Sequence, residues 1–329
     1  MINEQLARGS NLAIYFAMFV YTLAFFAHVV EWVRGGRSRT AVADVPAREL
    51  VSVGAAADRE PGRPRIPEPA VHNGDFQADR WGRMAVSLTV LGFGLHLASV
   101  VLRGAATHRA PWGNLYEFSL AGSCVATAIY LFLAWKASAR WLGVFLTGTV
   151  TLILGLAITV LYTDAEQLVP ALHSYWLVIH VTAAVISSGA FTVGSVATAL
   201  FLFKDRYERR ERVGAARQGS MWQRVPSAAK LDLTAYKVLA FAFPIWTFTV
   251  IAGAIWAERA WGRYWGWDPT ETWAFITWVV YAAYLHARAT HGWKGRNAAI
   301  IALLGFAAFL FNYFGVSIFI NGLHSYAGV

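Results

Sequence analysis

The sequence predicts an all-α polytopic membrane protein of about eight transmembrane helices, with both termini outside and one small outer segment dense in tryptophan. Three observations carry that expectation. Hydrophobic residues make up 57% of the 329-residue chain and charged residues only 14%, against about 25% charged in a soluble domain. The mean hydropathy is +0.44, and apolar runs of the length that crosses a hydrocarbon core recur along the chain, where about 20 residues suffice. Between those runs, the basic residues cluster in every second loop.

The expected spans lie near 12–33, 84–103, 115–135, 141–162, 176–203, 235–257, 272–290 and 298–320. The first does not read as a cleavable signal peptide. Only Arg8 precedes it, no A-x-A site follows, and Arg34, Arg37 and Arg39 come directly after it. Segment 34–83 carries Arg34, Arg37, Arg39, Arg48, Arg59, Arg63, Arg65, Arg80 and Arg83. Segment 204–230 carries eight more basic residues, from Lys204 to Lys230. Lys136 with Arg140, and Arg288 with Lys294 and Arg296, occupy two short turns, while the alternate loops hold only Arg8, Arg103, Arg109, Arg259 and Arg263. Eight spans with both termini outside put every basic loop in the cytoplasm. That placement accounts for the net charge of +9 without invoking nucleic acid.

The Pro-, Arg- and Ala-rich segment 34–83 (EPGRPRIPEPAVHNGD within it) has little to bury and is expected to be a flexible cytoplasmic loop. The single cysteine, Cys124, sits in an apolar run and reads as a small buried hydrophobe; alone it makes no internal disulfide or CxxC pair. No zinc-ligand spacing, P-loop, GxGxxG or GxSxG occurs, so nothing points to nucleotide-driven transport by this chain.

The stretch Trp261–Trp273, WGRYWGWDPTETW, puts four tryptophans, one tyrosine and two acids into thirteen residues. Part of it is local punctuation. Asp268 before Pro269, with Glu271 three residues on, is an N-cap, a proline at the first helical position and a capping-box acid. That reading starts the seventh span and does not exclude a second role for either acid. The tryptophans read two ways. An interfacial belt needs no ligand. Yet Trp256, Trp261, Trp265, Trp267, Trp273 and Trp278 crowd one short span interrupted by Gly262 and Gly266, and rigid flat side chains of this kind make a platform for a large flat amphiphile. The tryptophans by themselves leave both readings open.

The nine histidines bear on that choice. His72 and His108 fall in loops, and His291 at the inner end of the seventh span suits a helix C-terminus. His28 and His96 lie within spans one and two, where a neutral histidine bonded to a neighbouring carbonyl is the ordinary account. His180 stands at the outer end of the fifth span, with His173 close by, and His324 just beyond the eighth. His286 lies thirteen residues past Trp273, about 20 Å deeper along a helix, and an ionisable residue at that depth marks a functional site by default. Two outer histidines flanking a tryptophan platform suggest haem, a flat amphiphile whose iron takes imidazole on both faces.

The run WGRYWGWDPTETWAFITWVVYAAYLHAR, followed by YFGVSIFINGLHSYAG, resembles the CcsA/ResC-type cytochrome c assembly proteins of System II, whose actinobacterial members are called CcsB and whose signature is a tryptophan-rich WWD segment. PWGNLYEFSL and SYWLVIHV resemble the same family, and the likeness covers most of the chain from about residue 84. Hydropathy and charge set off a first span (1–33) and a basic cytoplasmic loop (34–83), which has no counterpart in the resemblance; the resemblance implies a plasma-membrane protein whose haem-handling core is 84–329, with the WWD segment at 258–273. It implies that the chain works with a ResB/Ccs1-type membrane subunit, moves haem b across the membrane and presents it to apocytochrome c, in company with a thiol-reducing system. It implies that His180 and His324 are the outer iron ligands and that His286 is an intramembrane ligand whose counterpart lies in the ResB-type subunit. Trp261, Trp265, Trp267 and Trp273 would form the platform with Asp268 and Glu271 beside them, and Arg103, Arg109 or Arg263 would meet the propionates. The same residues admit a haem chaperone that leaves ligation to its partner, a redox cytochrome with resident haems, or a permease with an ordinary aromatic belt.

Overall fold

The computed structural model describes residues 2–43, 73–167, 174–216 and 221–324. Among them the regular structure is helical. Eight long helices follow in order: α1 (Glu4–Ala43), α2 (Asn73–Thr107), α3 (Leu115–Lys136), α4 (Gly143–Thr159), α5 (Tyr175–Arg212), α6 (Ala228–Trp261), α7 (Pro269–Ala289) and α8 (Arg296–Leu310). A π-helical turn, Phe311–Val316, and a last helical turn, Ser317–Phe319, extend α8.

Seven of the eight are long and apolar enough to cross a membrane. The exception is α7. At 21 residues it is long enough, at 1.5 Å per residue, but Glu271, His286, Arg288 and its tryptophans and tyrosines lower its hydropathy. Helices α1 and α2 also reach past the expected spans into both ends of segment 34–83. Residues 44–72, with His72 and most of the expected flexible loop, lie outside the described residues, as does His173.

Helix starts follow local chemistry. The Asn114 side chain accepts from the Glu117 N–H at 2.8 Å, and Ser174 accepts from Trp176 at 3.2 Å. Ser227 accepts from Lys230 at 3.4 Å. Each satisfies one of the donors a helix N-terminus leaves open. Helix α6 ends at Gly262, whose φ of 71° takes the left-handed cap that glycine adopts without strain.

Small residues bring the helices together. A Cβ at Gly189 of α5 would stand 2.8 Å from the Ala126 nitrogen of α3, and one at Gly122 of α3 would stand 2.9 Å from Ser188 Oγ. Close backbone approach of this kind drives helix association where no water is left to exclude. On the other side of the bundle, Ser10 of α1 donates to the Ser99 carbonyl of α2 at 2.9 Å. The buried histidines tie α1 to its neighbours. His28 Nε2 lies 3.4 Å from the Tyr130 hydroxyl and Nδ1 3.3 Å from Glu31, while His96 Nδ1 meets the Tyr21 hydroxyl at 3.4 Å. Both are packing links within the bundle, and His96 also meets the Leu120 backbone.

Four of the later helices meet in an aromatic core. Phe191 of α5 stacks on Tyr281 of α7 with centroids 4.1 Å apart, and Trp246 of α6 and Phe309 of α8 pack edge-on around them. This cluster is the rigid floor beneath the tryptophan-rich end of the molecule.

Candidate functional site

The site is built at the ends of α5, α6 and α7 and the tail after α8. His180, in the second turn of α5, leans against α6. Its Nδ1 lies 2.9 Å from the Thr249 carbonyl, an atom that only accepts, so Nδ1 carries the proton and the lone pair resides on Nε2. Gly253, one turn further along α6, makes room: a Cβ there would stand 2.7 Å from His180 Cε1. The imidazole lies parallel to the buried indole of Trp256, 6.0 Å away with 7° between planes.

His324 reaches the same indole from the chain's tail, at 5.9 Å, and packs edge-on against Trp261 at 5.0 Å. Its Nδ1 meets Asp268 Oδ2 at 2.8 Å. A carboxylate also only accepts, so Nδ1 is the donor here too, and in the neutral ring the lone pair is on Nε2. Asp268 does more than cap α7. Its other oxygen accepts the Leu323 N–H at 2.7 Å, and Gly322 lets the tail come this close, since a Cβ there would lie 2.7 Å from that oxygen. Burial pushes the Asp268 carboxyl upward, but the hydrogen bonds from His324, Leu323 and Thr270 outweigh it and hold the group below its ordinary value.

Glu271 completes the capping box, accepting from Asp268 N–H at 3.1 Å and Gly266 N–H at 2.9 Å. Arg263 approaches it at 3.7 Å, crossing Gly266 so closely that any Cβ there would collide with the guanidinium.

Two adjoining clefts, of about 180 and 90 Å³, both have His180 and His324 in their walls. The larger runs inward past Thr249, Ala274 and Asn312 to Trp246 and Phe309; the smaller lies under Trp256, Trp261, Tyr264 and Trp265. Their walls are mainly apolar and aromatic. Among the described residues no group of three or more His, Cys, Asp or Glu could hold a bare metal ion. Two imidazoles on an apolar cleft are a donor set for a metal already held in a flat macrocycle.

The structure thus brings together His180, His324, Trp261, Trp265, Asp268 and Glu271. It sets three predicted residues apart. Trp267, with φ 58°, turns outward and is 66% exposed, touching Trp265 and Phe275 by its edges. Trp273 packs on Phe311 at 4.3 Å. Neither lines the two clefts. His286 is exposed on α7, near the end remote from the clefts. Two of the three candidate arginines are taken. Glu117, fully buried, binds Arg103 at 3.0 Å and Arg109 at 2.7 Å and accepts the Gly113 N–H at 2.8 Å. Arg263 lines neither cleft and faces Glu271, a wall residue of the smaller one, at 3.7 Å.

Sequence reasoning did not place Trp256, Thr249 and Gly253 in the site. Gly253 carried a signal, since a glycine inside a helical pattern marks close packing. Nothing local marks the Thr249 carbonyl.

A match to the family model described as cytochrome C assembly protein spans residues 112–324. The cytochrome c biogenesis protein CcsA of Synechococcus sp. (strain JA-2-3B'a(2-13)) is 37% identical over 269 residues, covering 66% of this chain and 77% of that protein. CcsA of Marchantia polymorpha is 34% identical over 264 residues, covering 69% and 82%. Among solved structures, the cytochrome c haem lyase CcmF superposes with a TM-score of 0.62 at 18% identity over 94% of this chain. That likeness is one of fold, and the chain spans 46% of the CcmF chain's length. With seven helices able to cross a bilayer, this chain is a multi-pass membrane protein that belongs to the cytochrome c assembly protein family.

Proposed function

We propose that this chain is the membrane subunit of a System II cytochrome c synthase, which carries haem b to the outer face of the plasma membrane and presents it for thioether attachment to CxxCH apocytochrome c. The observation that carries the reading is the pair His180 and His324. Both have Nδ1 engaged by an acceptor and both line one apolar cleft under Trp256 and Trp261.

Haem is the substrate here. His180 and His324 bind its iron, Trp261 and Trp265 cover the ring, and Arg263 pairs with a propionate. Bis-imidazole ligation leaves no open iron position, which restrains oxygen chemistry. The histidine of the incoming CxxCH segment replaces one ligand. Each of its thiols then adds across a haem vinyl group, sulfur to one carbon and hydrogen to the other, with no net oxidation. No nucleophile is needed from this chain; its part is positioning. His286, exposed on α7, faces the ResB-type subunit and holds haem at depth before it reaches the cleft. A thiol-reducing system keeps the substrate cysteines reduced.

The test is to express the full chain with its ResB-type partner, purify the complex in detergent, and record oxidised and reduced absorption spectra for the native protein, His180→Ala and His324→Ala. Bound haem that falls in both variants, with thioether product lost beside it, is the expected result. Haem bound without thioether product would make this a haem-presenting subunit only. Absence of haem from every preparation, with haem supply verified, would overturn the reading.

A further inference from the structure

The two imidazoles are anchored by different chemistry. His324 donates its Nδ1 proton to a carboxylate, Asp268, at 2.8 Å. His180 donates to a neutral backbone carbonyl, Thr249, at 2.9 Å. A hydrogen bond to an ionised acceptor is roughly twice as strong as a neutral one. The partner of a ligating histidine's second nitrogen also sets how strongly the ring donates to a metal. Asp268 therefore makes His324 the stronger iron donor.

The anchors also differ mechanically. His180 is held by two packed helices, with Gly253 admitting its ring against α6 and Trp256 stacked parallel to it. It keeps its place whether or not it is bonded to a metal. His324 sits on a tail that Asp268 holds twice, through the Leu323 N–H and the imidazole. Iron bound to His324 thus reinforces a tail closed over the cleft.

Resting on the functional reading above, we propose that His180 is the exchangeable axial ligand, replaced by the substrate histidine, and that His324, fixed by Asp268, is the retained one. In the exchange the iron–Nε2 bond of His180 breaks and an iron–nitrogen bond to the substrate imidazole forms. The iron's oxidation state does not change, and no proton moves on His180 because its Nδ1–H stays on Thr249. Asp268 is a positioning residue in this scheme. It acts through His324 and touches neither haem nor substrate.

The probe is a synthetic CxxCH peptide with both cysteines replaced by serine, which binds iron through its histidine and forms no thioether. It is titrated into the haem-loaded complex with the ResB-type partner, and the spin state is read from the absorption spectrum. In His180→Gly the peptide fills the vacated position and is expected to give a six-coordinate low-spin spectrum, with affinity at least about 10-fold above native. In His324→Gly the vacant position lies on the face opposite the one the substrate uses, so the peptide is expected to bind no more tightly than in the native protein and to leave the iron five-coordinate and high-spin. The reverse pattern, or identical behaviour of the two variants, overturns the proposal.

Asp268→Asn supplies an independent reading that keeps the fold, because asparagine caps a helix as well as aspartate does. Loss of the carboxylate is expected to weaken the preference of His324 for ferric over ferrous iron by about 10-fold, raising the midpoint potential by about 59 mV for a one-electron couple. Asp268→Glu, if it regains the bond, restores the native potential. An unchanged potential in Asp268→Asn overturns the role of Asp268. Failure of the native complex to bind haem would instead sink the functional reading, so the two failures are distinct.

Discussion

Gly253 and His180 occupy the same space from two helices: a methyl group on Gly253 would stand 2.7 Å from Cε1 and 2.8 Å from Nδ1 of the imidazole. The bare backbone of α6 at this point is what lets the ring reach the Thr249 carbonyl. Gly253→Ala should therefore displace His180 while favouring the helix itself, since alanine is a better helix former by about 0.8–1 kcal/mol. The expected outcome is severely reduced haem retention in a purified complex that still folds, with the helix-propensity gain offsetting part of the packing cost. A variant that keeps full haem and the native spectrum would show that the ring is not confined from this side.

Glu117 is the centre of a buried ionic cluster at the start of α3. Replacing it with glutamine leaves Arg103, 1% exposed, and Arg109 without their shared counter-charge. Removing one partner of a buried ion pair costs about 3–5 kcal/mol, and two guanidinium groups are stranded here. Glu117→Gln should lower the thermal midpoint in detergent sharply or abolish accumulation in the membrane. A stable Glu117→Gln protein that has lost haem would reassign these arginines from support to ligand binding.

His286 makes the opposite prediction. Its side chain is exposed on α7 and away from the cleft walls. His286→Ala should change stability by no more than about 0.5 kcal/mol, as for other surface substitutions. In the complex with the ResB-type subunit it should slow the arrival of haem at the cleft without altering the spectrum of haem once there. Pulse-loading with haem and following the spectrum in time distinguishes the two effects.

The hold of Asp268 on the tail carries a pH signature in the haem-free protein. A carboxyl depressed in the folded state contributes stability that is present above its unfolded value and lost as pH falls through its folded value. The shift here is downward, so the tail should stay docked at neutral pH and release only in acid, below the ordinary carboxylate value. Tryptophan fluorescence reports the release, because the His324 ring lies 5.0 Å from Trp261. Asp268→Asn should flatten that acid transition. A transition that persists unchanged in the variant would assign it to another group.

Much of the helical frame was legible in the chain, because helix formation in a membrane is a local matter. Length, hydropathy and caps are properties of consecutive residues. Asn114, Ser174, Ser227 and the Asp268–Glu271 box mark helix starts by their own side chains. His180, His324 and the Trp261–Glu271 segment stood out for the same reason: residues at odds with their apolar surroundings are visible without any partner.

Tertiary structure decided which of those residues meet. Asp268 and His324 lie 56 residues apart, and only the return of α8 beside α7 makes a helix cap into a histidine anchor. Arg103 and Arg109 read as candidates for an anionic ligand until Glu117 takes both. Trp256 packs beside both imidazoles, while Trp267 and Trp273 turn elsewhere. Periodicity says that a helix has faces, but not which neighbour each face will touch. That choice is made by packing across the whole bundle, through small residues such as Gly122, Gly189 and Gly253 that set how close the helices come.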